Sequence, residues 1–299
     1  MIAVFTAVFF IFGLGFAVQR LRPLDDRTLV QLSGLVVEIL LPFYLFFTIA
    51  TSTTPESFSI APALIAMGIV VPLGHYALAT LALKPAGVAA AQRPAFRFSI
   101  MVANTAFLGI PICEALFGPI GAVYAVLFDF GTTLVAMTLG VWELNGGRFA
   151  HWRPLVFNPL IWGVVAGLGW SVGGWPFPAW LSSPLSMLGG ATLPLALLVG
   201  GAQIGNIRAV GGMWRRQLFG LLTTRLIIAP LVVGSILAVF GGNDLFTKLI
   251  ILQAAMPVGL TSTIFAKNYG ADARFAASAT LWSTLAAVIS LPLIAIVLI

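Results

Sequence analysis

Two stretches of this chain set hydrogen-bonding side chains beside prolines and glycines in the middle of apolar runs. The first reads Asn104-Thr105-Ala106-Phe107-Leu108-Gly109-Ile110-Pro111. The second reads Gln253-Ala254-Ala255-Met256-Pro257-Val258-Gly259-Leu260-Thr261-Ser262-Thr263. A proline removes one helical hydrogen bond and clashes with the carbonyl a turn earlier, and a nearby glycine lowers the resistance to unwinding. Freed N–H and C=O groups are tolerated at membrane depth only where they line a cavity or lie within protein. Half-helix N-termini then offer partial positive charge to an anion. The predicted chemistry is binding without covalent change. Asn104, Thr105, Gln253 and Thr261 would bond the oxygens of a small anion, Pro111 and Pro257 would hold the breaks open, and Gly109, Met256 and Gly259 stand beside them. A pair of simple proline kinks is the structural alternative. The corresponding positions of the two stretches in the two halves of the chain favour a site.

Ionisable groups inside apolar runs come next, because each costs several kcal/mol in lipid and normally faces protein or water. Arg225 lies too deep to reach an interface, and either balances a substrate carboxylate or forms a fixed ion pair with an internal acid. Glu38, Glu114 and Asp129 are candidates to take up H⁺ or coordinate Na⁺, with interhelical hydrogen bonding or partnership with Arg225 as the structural reading. His75 titrates near the working range, but a lone His on an apolar helix reads first as a packing residue. Glu143 and Gln203 lie near segment ends and read as reaching water.

The elements that position these groups are long apolar runs, roughly 1–18, 33–51, 59–83, 95–116, 120–144, 157–173, 181–204, 217–240, 245–268 and 273–298. Each is close to the ~20 residues that cross a bilayer core as a helix, and the runs are too long for barrel strands. Their alternate gaps hold Arg20, Arg22, Arg27, Lys84, Arg93, Arg97, Arg148, Arg153, Arg208, Arg215, Arg216, Lys267 and Arg274, while the other gaps hold Lys248 with Glu56 and Asp244. Basic residues in short loops mark the cytoplasmic side, so both termini are expected outside the cytoplasm. The first run lacks a basic leader and is expected to be a retained span.

Apolar residues make up 60% of the chain, charged residues 8%, and mean hydropathy is +1.07, which excludes an ordinary soluble domain. The net charge of +6 follows from the topology, so nucleic acid is not an expected partner. Cys113, the single cysteine, reads as a small packing residue. No phosphate loop, nucleophile elbow or metal-spaced Cys/His set is present, and His75 and His151 lie far apart. The expectation is a non-enzyme without cofactor or bound metal.

The halves repeat. A shift of 152 positions superimposes Gly15 on Gly167, Leu41-Pro42 on Leu193-Pro194, Ala103 on Ala255, Leu108 on Leu260, Gly118 on Gly270, Ala125 on Ala277 and Thr132 on Thr284. An odd number of spans per copy inverts the second, so the reading is an all-α polytopic membrane protein. Its ten transmembrane helices form a 5+5 inverted repeat, 1–150 and 151–299, with no soluble domain. Such repeats are a transporter architecture with substrate near the midplane. Gly163 and Gly167, then Gly169 and Gly173, predict close helix packing. Trp162, Trp170, Trp175 and Trp180 read as interface anchors.

The string Asn-Thr-x-x-x-Gly-Ile-Pro at 104–111 resembles the auxin efflux carrier family. So do Gln-Ala-Ala-Met-Pro at 253–257, Phe265-Ala266-Lys267-x-Tyr269-Gly270, Leu-Leu-Pro at 40–42, and Asn158-Pro159. The resemblance covers essentially the whole chain. It implies the fold shared with bile-acid sodium symporters, with broken helices four and nine crossing at Asn104 and Pro257, and a homodimer built on the scaffold spans. Ala103 stands where the plant carriers have proline, and the loop after span five is short, as in the compact prokaryotic branch. The implied function is secondary transport of a small carboxylate, such as malate, malonate or an auxin-like acid, across a bacterial inner membrane. A sodium-coupled symporter of a bulky amphipathic anion and a ligand-binding membrane sensor are the alternatives.

Overall fold

The computed structural model describes residues 2–52, 59–148, 157–207, 215–239 and 244–298. Arg153, Arg208, Glu56 and His151 lie outside them. The described chain is helical, and its one β feature is an isolated antiparallel bridge between Ala103 and Val258. In order the helices are α1 (Ile2–Leu21), α2 (Asp26–Thr51), α3 (Ala61–Ala82), α4 (Arg93–Met101), α5 (Thr105–Phe117) and α6 (Pro119–Leu144). There follow α7 (Pro159–Val172), α8 (Ala179–Asn206), α9 (Arg215–Val239), α10 (Leu245–Ala254), α11 (Thr261–Asn268) and α12 (Ala273–Leu298). Seven of these, α1, α2, α3, α6, α8, α9 and α12, are long and apolar enough to cross a membrane. The protein is an integral membrane protein of helices. The run read as 95–116 comprises α4 and α5, and that read as 245–268 comprises α10 and α11.

Proline chemistry explains several local departures from the α-helix. In α2 the turn Leu35–Leu40 widens to a π-turn before Pro42; in α5 Thr105–Gly109 does so before Pro111, and in α9 Thr224–Ile228 before Pro230. In each case the residue between turn and proline donates five positions back: Leu41 to Val36, Ile110 to Thr105 and Ala229 to Thr224. The proline ring crowds the carbonyl four residues earlier, and a wider turn relieves that clash while keeping the neighbouring N–H bonded.

Glycines set the closest helix approaches. A Cβ on Gly15 of α1 would overlap the Leu198 carbonyl of α8, and one on Gly163 of α7 would lie 2.5 Å from the Pro42 carbonyl of α2. Gly167 meets Ile49 and the Phe46 carbonyl, whereas Gly169 faces open space. The close packing expected of the Gly163/Gly167 pair therefore concerns α2, and the second pair does not share it. Gly68 of α3 and Gly131 of α6 press backbone to backbone. Cys113 is fully buried. Trp162, Trp175 and Trp180 are exposed, while Trp170 is half-buried and donates to the Trp175 carbonyl at 3.1 Å.

Candidate functional site

Two interruptions meet in the interior. Helix α4 stops at Met101 and α5 begins at Thr105; α10 stops at Ala254 and α11 begins at Thr261. The intervening segments run antiparallel and bond to each other. The Asn104 N–H donates to the Pro257 carbonyl at 2.8 Å, and the Gly259 N–H donates to the Val102 carbonyl at 2.9 Å. Pro257 cannot donate, and Asn104 takes its carbonyl where a helix would have used it. The Val258 N–H donates to Ser283 Oγ of α12 at 3.0 Å, and the Asn104 carbonyl accepts from Gly109 at 3.0 Å. Most of the freed backbone thus finds partners within the protein. Gly259 permits the approach, since a Cβ there would lie 2.9 Å from the Ala103 carbonyl.

The side chains are less well served. Asn104 is 3% exposed and Gln253 0%. Asn104 Nδ2 and both polar atoms of the Gln253 amide have no hydrogen-bond partner among the described residues. A buried polar group left unpaired costs about 1–3 kcal/mol, and these two side chains lie at one junction. Gly109 packs directly against the Gln253 amide. Met256, Pro257 and Pro111 are buried around the junction.

Thr105 donates its hydroxyl to Asp129 Oδ1 of α6 in a short hydrogen bond, which ties the first break to a buried acid. Asp129 also lines a cavity of about 140 Å³ with Leu45, Ile65, Ile110, Asn158 and Leu168. Glu114 lies apart and accepts from Tyr44 at 2.6 Å, joining α5 to α2. Glu38 is exposed on the π-turn of α2, and Thr261 is exposed at the start of α11. These three do not join the buried cluster. Ser262 and Thr263, one and two positions on from Thr261, instead carry buried hydroxyls without partners.

Arg225 is fully buried, and its partners among the described residues do not include the internal acid that one sequence reading expected. Its Nε donates to the Met256 carbonyl at 2.9 Å, and Nη1 donates to the Ile100 carbonyl at 3.1 Å and to His75 Nδ1 at 2.6 Å. It bridges the two interruptions through carbonyls, in place of the fixed pair with an acid. A guanidinium only donates, so His75 Nδ1 must accept and the ring carries its proton on Nε2. His75 is therefore more than packing.

A family described as membrane transport protein matches residues 1–151 and 144–295. The chain belongs to that family. An uncharacterized transporter of Methanothermobacter thermautotrophicus is 24% identical over 301 residues, covering 95% of this chain and 94% of the relative. A second uncharacterized transporter, from Methanocaldococcus jannaschii, is 24% identical over 197 residues, covering 62% and 61%. The auxin efflux carrier motifs at 104–111 and 253–257 point to the same family.

Two features of this membrane transport protein escaped the sequence. Glu143 does not reach water: it is 7% exposed, paired with Arg97 at 2.6 Å and accepting from the Tyr76 hydroxyl at 2.7 Å. Gln203 donates to Ser33 Oγ in a short bond between α8 and α2. Spacing alone gave no signal for either, because the partners come from distant helices.

Proposed function

We propose that this protein is a secondary carrier that moves a small organic anion across the membrane by alternating access at the crossing of the two interrupted helices. The observation that carries this is the pair of buried, unpartnered amides, Asn104 Nδ2 and the Gln253 amide, at the contact of the two breaks. Amide N–H groups and nearby half-helix N-termini would bond carboxylate oxygens without becoming charged themselves. Asp129, bonded to Thr105 of the first break, also lines a cavity of about 140 Å³ with room for more than a single water.

The reading includes ten spans in two inverted copies, 1–150 and 151–299, counting α7 and the two interrupted segments with the seven long helices. Equivalent contacts support it. Gly15 packs on the Leu198 carbonyl, and 152 positions away Gly167 packs on the Phe46 carbonyl. Thr192 Oγ1 lies 3.5 Å from the Leu40 carbonyl, its own counterpart at a separation of 152. Three of the basic gaps meet: Arg20 donates to the Ile207 carbonyl at 2.9 Å and Arg216 to the Pro85 carbonyl at 3.1 Å. Their end would face the cytoplasm, with both termini outside, in a bacterial inner membrane and as a homodimer.

The test is current recording on proteoliposomes stepped through malate, malonate and indole-acetate. The carrier reading predicts currents with at least one acid. Silence across a wide panel of carboxylates, from protein shown to be folded, would overturn the anion assignment.

A further inference from the structure

We infer that Arg225 is the resident cation of the crossing, filling the place a coupling ion such as Na⁺ would need, so that transport requires no Na⁺. The inference rests on the carrier reading above and specifies its coupling. In broken-helix carriers, unwound carbonyls and half-helix C-termini are the groups that coordinate a coupling cation. Here the corresponding oxygens are Ile100 O, in the last turn of α4, and Met256 O, two residues past the end of α10. Both accept from one guanidinium, at 3.1 and 2.9 Å.

The geometry follows from the local sequence. The π-turn Thr224–Ile228 precedes Pro230, and that widened turn carries Arg225 within α9. The charge then lies where two helix C-termini concentrate negative potential. No described carboxylate pairs with Arg225, whose bonds go to two carbonyls and His75. His75 turns an acceptor nitrogen to it and adds no charge of its own. An arginine stays protonated throughout the physiological range, unlike a lysine in the same place. The crossing therefore holds a fixed positive charge when empty. Arg225 Nη2, Asn104 Nδ2 and the Gln253 amide remain open as donors, and an arriving anion supplies the missing negative charge.

Two measurements test this, and neither depends on the other. The first is the melting midpoint of the wild-type protein in choline buffer against rising Na⁺ at constant ionic strength. An unchanged midpoint is expected, and a rise that saturates with Na⁺ overturns the inference even if no transported acid has been found. The second compares malonate currents for wild type, Arg225→Lys and Arg225→Ala, each with and without added guanidinium ion. Arg225→Ala should lose roughly tenfold or more, the scale of a lost charged hydrogen bond, and guanidinium should restore part of it. Arg225→Lys should fall between, having one ammonium to span two carbonyls. Wild-type rates in Arg225→Ala would overturn the inference. If Arg225→Ala does not fold, the Na⁺ series on wild type decides alone.

Discussion

Gly109 and Gln253 leave no room between them: a Cβ built on Gly109 would overlap the Gln253 side-chain amide. The obstructing atoms are the far end of a flexible side chain, so Gly109→Ala should displace the amide at little cost to the fold. The expected outcome is a melting midpoint near wild type with transport reduced about tenfold, the loss of roughly one well-placed hydrogen bond. Gly68→Ala is the contrast, since its Cβ would meet the Phe128 carbonyl and the Gly131 backbone. Backbone cannot yield so easily, and that variant should lose about 1–3 kcal/mol of stability.

Replacing the unpartnered amide should separate stability from function. Gln253→Met removes two buried, unbonded polar atoms and keeps similar volume. Its melting midpoint should rise, by an amount corresponding to about 1–3 kcal/mol, while transport falls. A lower midpoint with intact transport would show that the amide has a partner in the working protein.

The Thr105–Asp129 bond invites a graded series. Thr105→Ser keeps the hydroxyl and should transport at close to the wild-type rate. Thr105→Val leaves a buried carboxyl without its donor and should lose both stability, by about 1–3 kcal/mol, and transport. Initial uptake rates and melting curves together distinguish a bond to Asp129 from simple packing.

Two exposed helix starts make a control far from the crossing. Asp244 caps α10, with Oδ1 accepting from the Thr247 N–H at 2.9 Å, and that bond holds its carboxyl below the usual carboxylate range. A lowered folded value means the stabilisation is present above the unfolded pKa of about 3.9 and is lost as pH falls through the folded value. Asp244→Ala should cost about 1 kcal/mol at neutral pH. The gap between wild-type and variant melting curves should close in acid. Asp25, which caps α2 through Thr28, follows the same logic.

The sequence made some of this legible and hid the rest for physical reasons. Pro111 and Pro257 announce the interruptions, because a proline's effect on a helix is local and can be read from its neighbours. Pro42, Pro111 and Pro230 each follow a π-turn for the same reason. The partners of Arg225 were hidden, since backbone carbonyls have no residue signature and Ile100 and Met256 look like any apolar residues. Facing is equally silent where a break resets the register: Thr261 is exposed and Ser262 fully buried, one position apart. Gly68 and Gly74 look alike in α3, yet one touches α6 and the other open space. Only the assembled helices distinguish them.

Binding of substrate at the crossing through Asn104 is open to a direct check by parallel current recordings. Wild type, Asn104→Ala and Glu38→Gln would be reconstituted at matched density and stepped with the same carboxylates. Glu38 is exposed on α2, away from the buried cluster. Currents are expected in wild type and Glu38→Gln and none in Asn104→Ala, with all three melting cooperatively. Wild-type currents in Asn104→Ala would contradict binding through Asn104.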